Sequence, residues 1–144
     1  MATSSLQLDR YYKDNPLWGG CWCRDELVGK KPGGKFYILN LDESSNPGTH
    51  WVACVDFTKA PVYVDPFGLP PPPEIDRFMH RSKNGAKSVY SMAQYQDMTS
   101  DNCAYFCVEF IDELLEHGSL KRMDEELTEL PSKHNEKEVR KVKL

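Results

Sequence analysis

Thr49-His50-Trp51-Val52-Ala53-Cys54-Val55-Asp56-Phe57, then Thr58-Lys59-Ala60-Pro61, then Val62-Tyr63-Val64-Asp65 is the stretch on which the fold turns. Two runs of β-branched and aromatic residues flank a short turn, the pattern of an antiparallel hairpin. The hairpin brings His50, which opens one strand, beside Asp65, which ends the next. Working toward the N-terminus, Phe36 to Leu41 reads as the preceding strand, stopped by the polar run from Asp42 to Gly48. Working toward the C-terminus, Asp65-Pro66-Phe67-Gly68-Leu69 leads into Pro70 to Pro73. Glu74 to Arg81 then carries Ile75, Phe78 and Met79 at i, i+3, i+4. That is a helix with a proline-stiffened entry. Val89 to Gln96 reads as a further strand and Asp97 to Asn102 as a polar turn.

The strongest helical pattern follows. From Cys103 to Glu116, apolar residues at 103, 104, 106, 107, 110, 111, 114 and 115 form a broad face. Ser100, Asp101 and Asn102 offer N-caps, and Gly118 fits the stop. This helix should be central. At the other end of the chain, Ser4 to Lys13 reads as a short serine-capped helix, and Asn15 to Gly20 as a loop broken by Gly19-Gly20. Leu120, Met123, Leu127 and Leu130 support one more amphipathic helix before Pro131. Residues 1–130 therefore read as one domain, and 131–144 as a charged, solvated tail.

The 144 residues leave room for one core, and 40% hydrophobic against 28% charged residues is too apolar for a disordered chain. A net charge of −4 argues against phosphate-backbone binding as the main task. No apolar run approaches the roughly 20 residues of a membrane-spanning helix, and the first residues lack the pattern of a signal peptide. Five cysteines, at 21, 23, 54, 103 and 107, are an odd number and point to reduced thiols. Neither Cys21-x-Cys23 nor Cys103-x3-Cys107 has structural-zinc spacing, and no histidine pair supplies the rest of such a site. No metal or other cofactor is expected.

His50 opening a strand, Asp65 ending its neighbour, Gln96 in a connection and Cys103 in the first turn of a helix are the parts of a thiol protease. A thiol attacks a carbonyl as thiolate, and a helix N-terminus with a nearby imidazole favours that form. The imidazole needs a third group to orient it, which Asp65 can supply. The developing oxyanion needs fixed donors, for which the Gln96 amide and the Cys103 backbone N–H are candidates. Each residue alone has a plainer reading: a sheet-edge histidine, an aspartate capping a turn, a surface amide, a small buried cysteine. Their order along the chain, each at the right kind of element end, makes the case.

The blocks Gly48-Thr49-His50-Trp51-Val52-Ala53, Val64-Asp65-Pro66-Phe67-Gly68, Gln96, and Ser100-x-x-Cys103-x-x-Phe106-Cys107-x-x-Phe110 resemble the motif series of the adenovirus maturation protease family (adenain). Arg24-Asp25-Glu26-Leu27 and Pro47-Gly48-Thr49-His50-Trp51 are similar to the adenain-like proteases of Maverick/Polinton elements and related DNA viruses. The likeness runs from about Trp18 to His117. It implies an α+β, papain-like cysteine protease fold shared with SUMO-specific proteases, a mixed central sheet flanked by helices with the nucleophile at the N-terminus of a central helix. It implies His50 as general base, Asp65 as its orienting partner, Gln96 in the oxyanion hole, Cys103 as nucleophile and Trp51 lining the substrate groove. It further implies cleavage of virion precursor proteins at Gly-Gly-x or Gly-x-Gly sites, in the virion and the host nucleus or cytoplasm.

Two departures from the family pattern stand out. Ala104 replaces the usual glycine after the nucleophile. The chain is also acidic and shorter than the adenovirus enzyme, which argues against a DNA requirement and leaves an activating peptide open. A protease for ubiquitin-like modifiers and an inactive binding module of the same fold are the alternative functions. Cys54 and Cys107 share faces with His50 and Cys103, and both read as small core residues beneath the site. Cys21 and Cys23 share one face of a short strand or loop, and Arg24, Asp25 and Glu26 read as structural.

Overall fold

The structure is a computed structural model that describes residues 3–42, 50–83, 88–90, 94, 102–118 and 144. Five strands form one mixed sheet in the order of the chain: β1 (Trp18–Cys23), β2 (Phe36–Asn40), β3 (Trp51–Val55), β4 (Val62–Val64) and β5 (Val89–Tyr90). The β2–β3 and β3–β4 pairs are antiparallel, and the β1–β2 and β4–β5 pairs are parallel. The expected hairpin is β3–β4, with Val55 opposite Val62 and Ala53 opposite Val64.

Helices cover both faces of this sheet. On one face lie α1 (Ser5–Tyr12) and α3 (Cys103–His117), and on the other α2 (Pro73–His80) with a short 3-10 turn at Arg24–Leu27. Alternation along the strands sorts the residues. Phe36, Ile38, Ala53 and Val55 meet Leu8, Val108 and Ile111, while Tyr37, Leu39, Val52 and Cys54 meet Ile75, Phe78 and Met79. Every residue of β2 is buried, which is why its sequence reads as a continuous apolar run.

The helix ends follow their capping chemistry. Ser4 Oγ accepts the Gln7 backbone N–H at 3.3 Å, and Gln7 Oε1 accepts the Ser4 N–H at 2.9 Å, a reciprocal capping box. Helix α2 begins at a proline, whose missing N–H costs nothing there. Helix α3 starts at Cys103 after Asn102 and stops at Gly118. Tyr12 and Tyr11 tie α1 to α3 by donating to the two carboxylate oxygens of Asp112, at 2.9 and 2.7 Å.

One element departs from the sequence reading. Trp18–Cys23 is strand β1, although a loop was expected through Gly20. The glycine pair makes an irregularity inside the strand: Trp18 pairs with Phe36 but Gly20 with Tyr37, so Gly19 is the extra residue of a bulge. The Tyr37 ring lies directly against the Gly19 backbone, leaving no room for a side chain. Of the expected Val89–Gln96 strand, Val89 and Tyr90 form β5, and Gln94 is not in a strand. The helix expected through Leu130 and the tail at 131–144 lie, apart from Leu144, outside the described residues.

Candidate active site

The hairpin and α3 converge at one end of the sheet. His50 immediately precedes β3, Asp65 immediately follows β4, and Cys103 is the first residue of α3, which packs on β3. His50 Nε2 lies 2.7 Å from Asp65 Oδ1, with Asp65 completely buried and the His50 side chain 12% exposed. That contact leaves Nδ1 for the thiol, and Cys103 is close enough to act on the His50 charge. The Trp51 backbone N–H donates to Cys103 Sγ at 3.3 Å.

Local sequence explains how Asp65 is held. Asp65-Pro66-Phe67-Gly68 is a tight turn in which the Gly68 N–H donates to the Asp65 carbonyl at 2.7 Å. Proline presets the turn, and Gly68 takes a φ of +78° that other residues resist. Inside the turn the Phe67 N–H donates to Asp65 Oδ1 at 2.8 Å, so the backbone itself aims the carboxylate at His50. The Phe67 ring lies flat on the imidazole, with centroids 4.3 Å apart and planes inclined by 5°.

The electrostatics favour a charged imidazole. Burial pulls the His50 pKa down, but hydrogen bonds to Asp65 and Cys103 and the charges of both outweigh it, raising it from 6.5 to about 9. The first turn of α3 carries no acidic residue, and its N–H groups lack intrahelical acceptors. The positive end of the helix therefore faces the sulfur with no carboxylate in that turn. Burial pushes the pKa of Cys21, Cys54 and Cys107 well up, and burial with the neighbouring Glu26 raises that of Cys23.

Trp51 stands between this cluster and a cleft of about 330 Å³, whose lining includes Thr3, Cys21, Cys23, Asn40 and Trp51. Its indole Nε1–H donates to the Thr3 carbonyl at 3.1 Å, so the segment before α1 fixes the orientation of the ring. Gln96 lies outside the described residues. Cys107 packs beneath Cys103 in the core between α3 and the sheet. Cys54, expected beneath the site as well, points to the opposite face, among Tyr37, Tyr63 and Phe78, because α3 covers the odd-numbered side of β3. Glu26 accepts the Cys23 N–H at 2.8 Å and also lines this cleft.

Sequence reasoning missed two contributors. Phe67 is one of them, because its stacking depends on how the turn after β4 folds back over His50. Thr3 acts through its backbone carbonyl, which leaves no signal in residue type. Among the described residues no group of three His, Cys, Asp or Glu side chains is placed to share a metal ion.

No protein-family model matches the sequence, and no curated protein matches it. Among solved structures, a crystal structure of the ASFV pS273R protease matches with a TM-score of 0.64 and 16% identity, over 94% of this chain and 63% of that one. A selenomethionine crystal structure of the same protease matches with a TM-score of 0.53 and 21% identity, over 72% of this chain and 42% of that one. The chain shares the fold of the ASFV pS273R protease. It spans less than two thirds of the length of the pS273R chains. The expected fold class is thus observed: an α+β protein whose mixed sheet is flanked by helices, with Cys103 at the start of the central one.

Proposed function

We propose that this chain is a viral cysteine endopeptidase of the adenain-like type, with Cys103 as nucleophile, His50 as acid and base, and Asp65 as the group that orients His50. The observation that carries the reading is the His50 imidazole held between a buried carboxylate at 2.7 Å and the thiol of a residue that opens a helix. With its pKa at about 9, His50 carries the proton at neutral pH before substrate arrives. In the proposed reacting state the pair is thiolate and imidazolium, the form that a helix N-terminus and a neighbouring imidazole favour.

Cys103 Sγ attacks the scissile carbonyl carbon, and the carbonyl π electrons move to oxygen. The Cys103 backbone N–H stabilises that oxyanion, joined in this proposal by the Gln96 side-chain amide. As the tetrahedral centre collapses, the C–N bond breaks and His50 gives its proton to the departing amine, leaving a thioester. The neutral imidazole then takes a proton from the water that attacks the thioester, and collapse breaks the C–S bond, releasing the acid and restoring the Cys103 thiolate beside the His50 imidazolium. The Trp51 N–H on Sγ holds the sulfur in place through these steps.

The cleft walled by Trp51 supports a role for that residue in lining the substrate groove. By resemblance, the proposed substrates are virion precursor proteins cut at Gly-Gly-x or Gly-x-Gly sites, in the virion and the host nucleus or cytoplasm. An activating peptide is left open. The acidic balance of the chain supports a reaction that needs no DNA, and none of the proposed steps calls for a metal or other cofactor.

The test is reaction of the full chain with a Gly-Gly peptide bearing a C-terminal thiol-trapping electrophile, read by intact mass and peptide mapping. A single adduct on Cys103, absent in Cys103→Ala and slowed in His50→Ala, is the expected result. Labelling of Cys23 in preference to Cys103 would refute the assignment.

A further inference from the structure

We propose that Phe67 is a positioning residue whose ring holds the plane of the His50 imidazole, keeping Nε2 on Asp65 while Nδ1 faces Cys103. The proposal rests on the cysteine-protease reading of the site and adds to it the element that fixes the second axis of the imidazole.

A hydrogen bond along one edge of an imidazole fixes a direction and leaves the ring free to tilt about it. The ring torsion of histidine is broad, so packing must supply the rest of the restraint. At His50 the edge is set by the 2.7 Å contact to Asp65, and the face by Phe67, stacked at 4.3 Å and 5°. At that separation a substantial tilt drives imidazole atoms into the phenyl ring. Without the phenyl ring, Nε2 could stay near Asp65 while Nδ1 swung away from the thiol.

The two restraints come from a single turn. The Phe67 N–H donates to the same Asp65 oxygen that meets His50, so the backbone of this residue aims the carboxylate while its side chain lies on the imidazole. The turn is closed by the Gly68 N–H on the Asp65 carbonyl. Carboxylate and ring cannot move independently.

Stacking has an electrostatic consequence as well. The face of a phenyl ring carries partial negative charge, so it attracts an imidazolium more than a neutral imidazole. Among the described residues, the titratable groups facing His50 are Asp65 on the β4 side and Cys103 on α3. Phe67 stands on the remaining side as an uncharged contributor of the same sign as Asp65. Loss of its ring is therefore expected to disfavour the charged imidazole, which replacement by an aliphatic side chain of similar bulk does not prevent.

The experiment follows iodoacetamide modification of Cys103 from pH 5 to 10 by peptide mapping, in wild type, Phe67→Leu, Phe67→Met and Phe67→Tyr. The His50 ring is titrated by NMR in the same proteins, and circular dichroism shows which of them fold. Phe67→Leu and Phe67→Met are expected to lower the alkylation rate near neutral pH several-fold and to move the His50 titration down by about half a pH unit. Phe67→Tyr, which keeps an aromatic face, is expected to restore both. Folded Leu and Met variants with wild-type rate and titration would overturn the proposal. So would a Tyr variant that behaves like Leu. A wild-type Cys103 that reacts no faster than Cys23 at neutral pH would instead overturn the protease reading and the proposal with it.

Discussion

Replacing Asp65 by Asn should remove a pH-dependent part of the stability of this protein. His50 has its pKa raised from 6.5 to about 9, against the pull of burial, by hydrogen bonds to Asp65 and Cys103 and by their charges. The folded value lies above the unfolded one, so the stabilisation is fully present below pH 6.5 and is lost as pH rises through 9. The interval corresponds to about 3 kcal/mol, and with the His50 side chain only 12% exposed little of it is screened by solvent. In Asp65→Asn the amide oxygen still accepts from Nε2 but carries no charge, so the His50 pKa falls back toward 6.5. Urea unfolding of both proteins at pH 6 and pH 9.5 measures the effect, with the m values checked for constancy. Ionisations common to the two proteins cancel in the comparison. The stability advantage of wild type over Asp65→Asn should shrink by about 2–3 kcal/mol between the two pH values. An advantage that stays constant to within about 0.5 kcal/mol, near the accuracy of such extrapolations, would refute the argument.

Three further outcomes test other parts of the structure. Gly19→Ala places a Cβ inside the Tyr37 ring and should cost about 1–3 kcal/mol by overpacking, whereas Gly29→Ala, with open space but a φ of +75°, should cost less than that; chemical denaturation ranks the two. Tyr12→Phe removes the hydroxyl that donates to Asp112 at 2.9 Å and should lower stability by about 1–2 kcal/mol, seen as a lower midpoint in the same assay. In timed alkylation of the native protein at pH 7, Cys103 should be modified first, and Cys54 and Cys107 only after unfolding, because burial holds both as neutral thiols. Early labelling of Cys107 would show that the core beneath the site opens.

Much of the fold was legible because its elements repeat simple periods. The β3–β4 hairpin, the buried run of β2 and the broad apolar face of α3 each announce themselves in residue spacing. Strand β1 did not, because Gly19 and Gly20 carry the usual signature of a loop, and the Tyr37 ring that requires a glycine there comes from the neighbouring strand. Cys54 was placed beneath the site on parity with His50, but α3 chose the other face of β3. The sequence could not tell which face α3 would cover, since β3 is apolar on both.

By itself the chain determined which residue types stand at which element ends: a histidine before a strand, an aspartate after its partner, a cysteine opening the longest helix. These follow from local chemistry, because strand alternation, turn residues and helix periodicity act over a few residues. Tertiary structure alone decided that Nε2 of His50 meets Asp65, that the Trp51 N–H reaches Cys103 Sγ 52 residues away, and that Phe67 lies flat on the imidazole. Distances of a few ångströms between remote residues depend on how α3 seats on the sheet and how the turn after β4 folds back. Packing sets both, and no periodicity in the sequence encodes them.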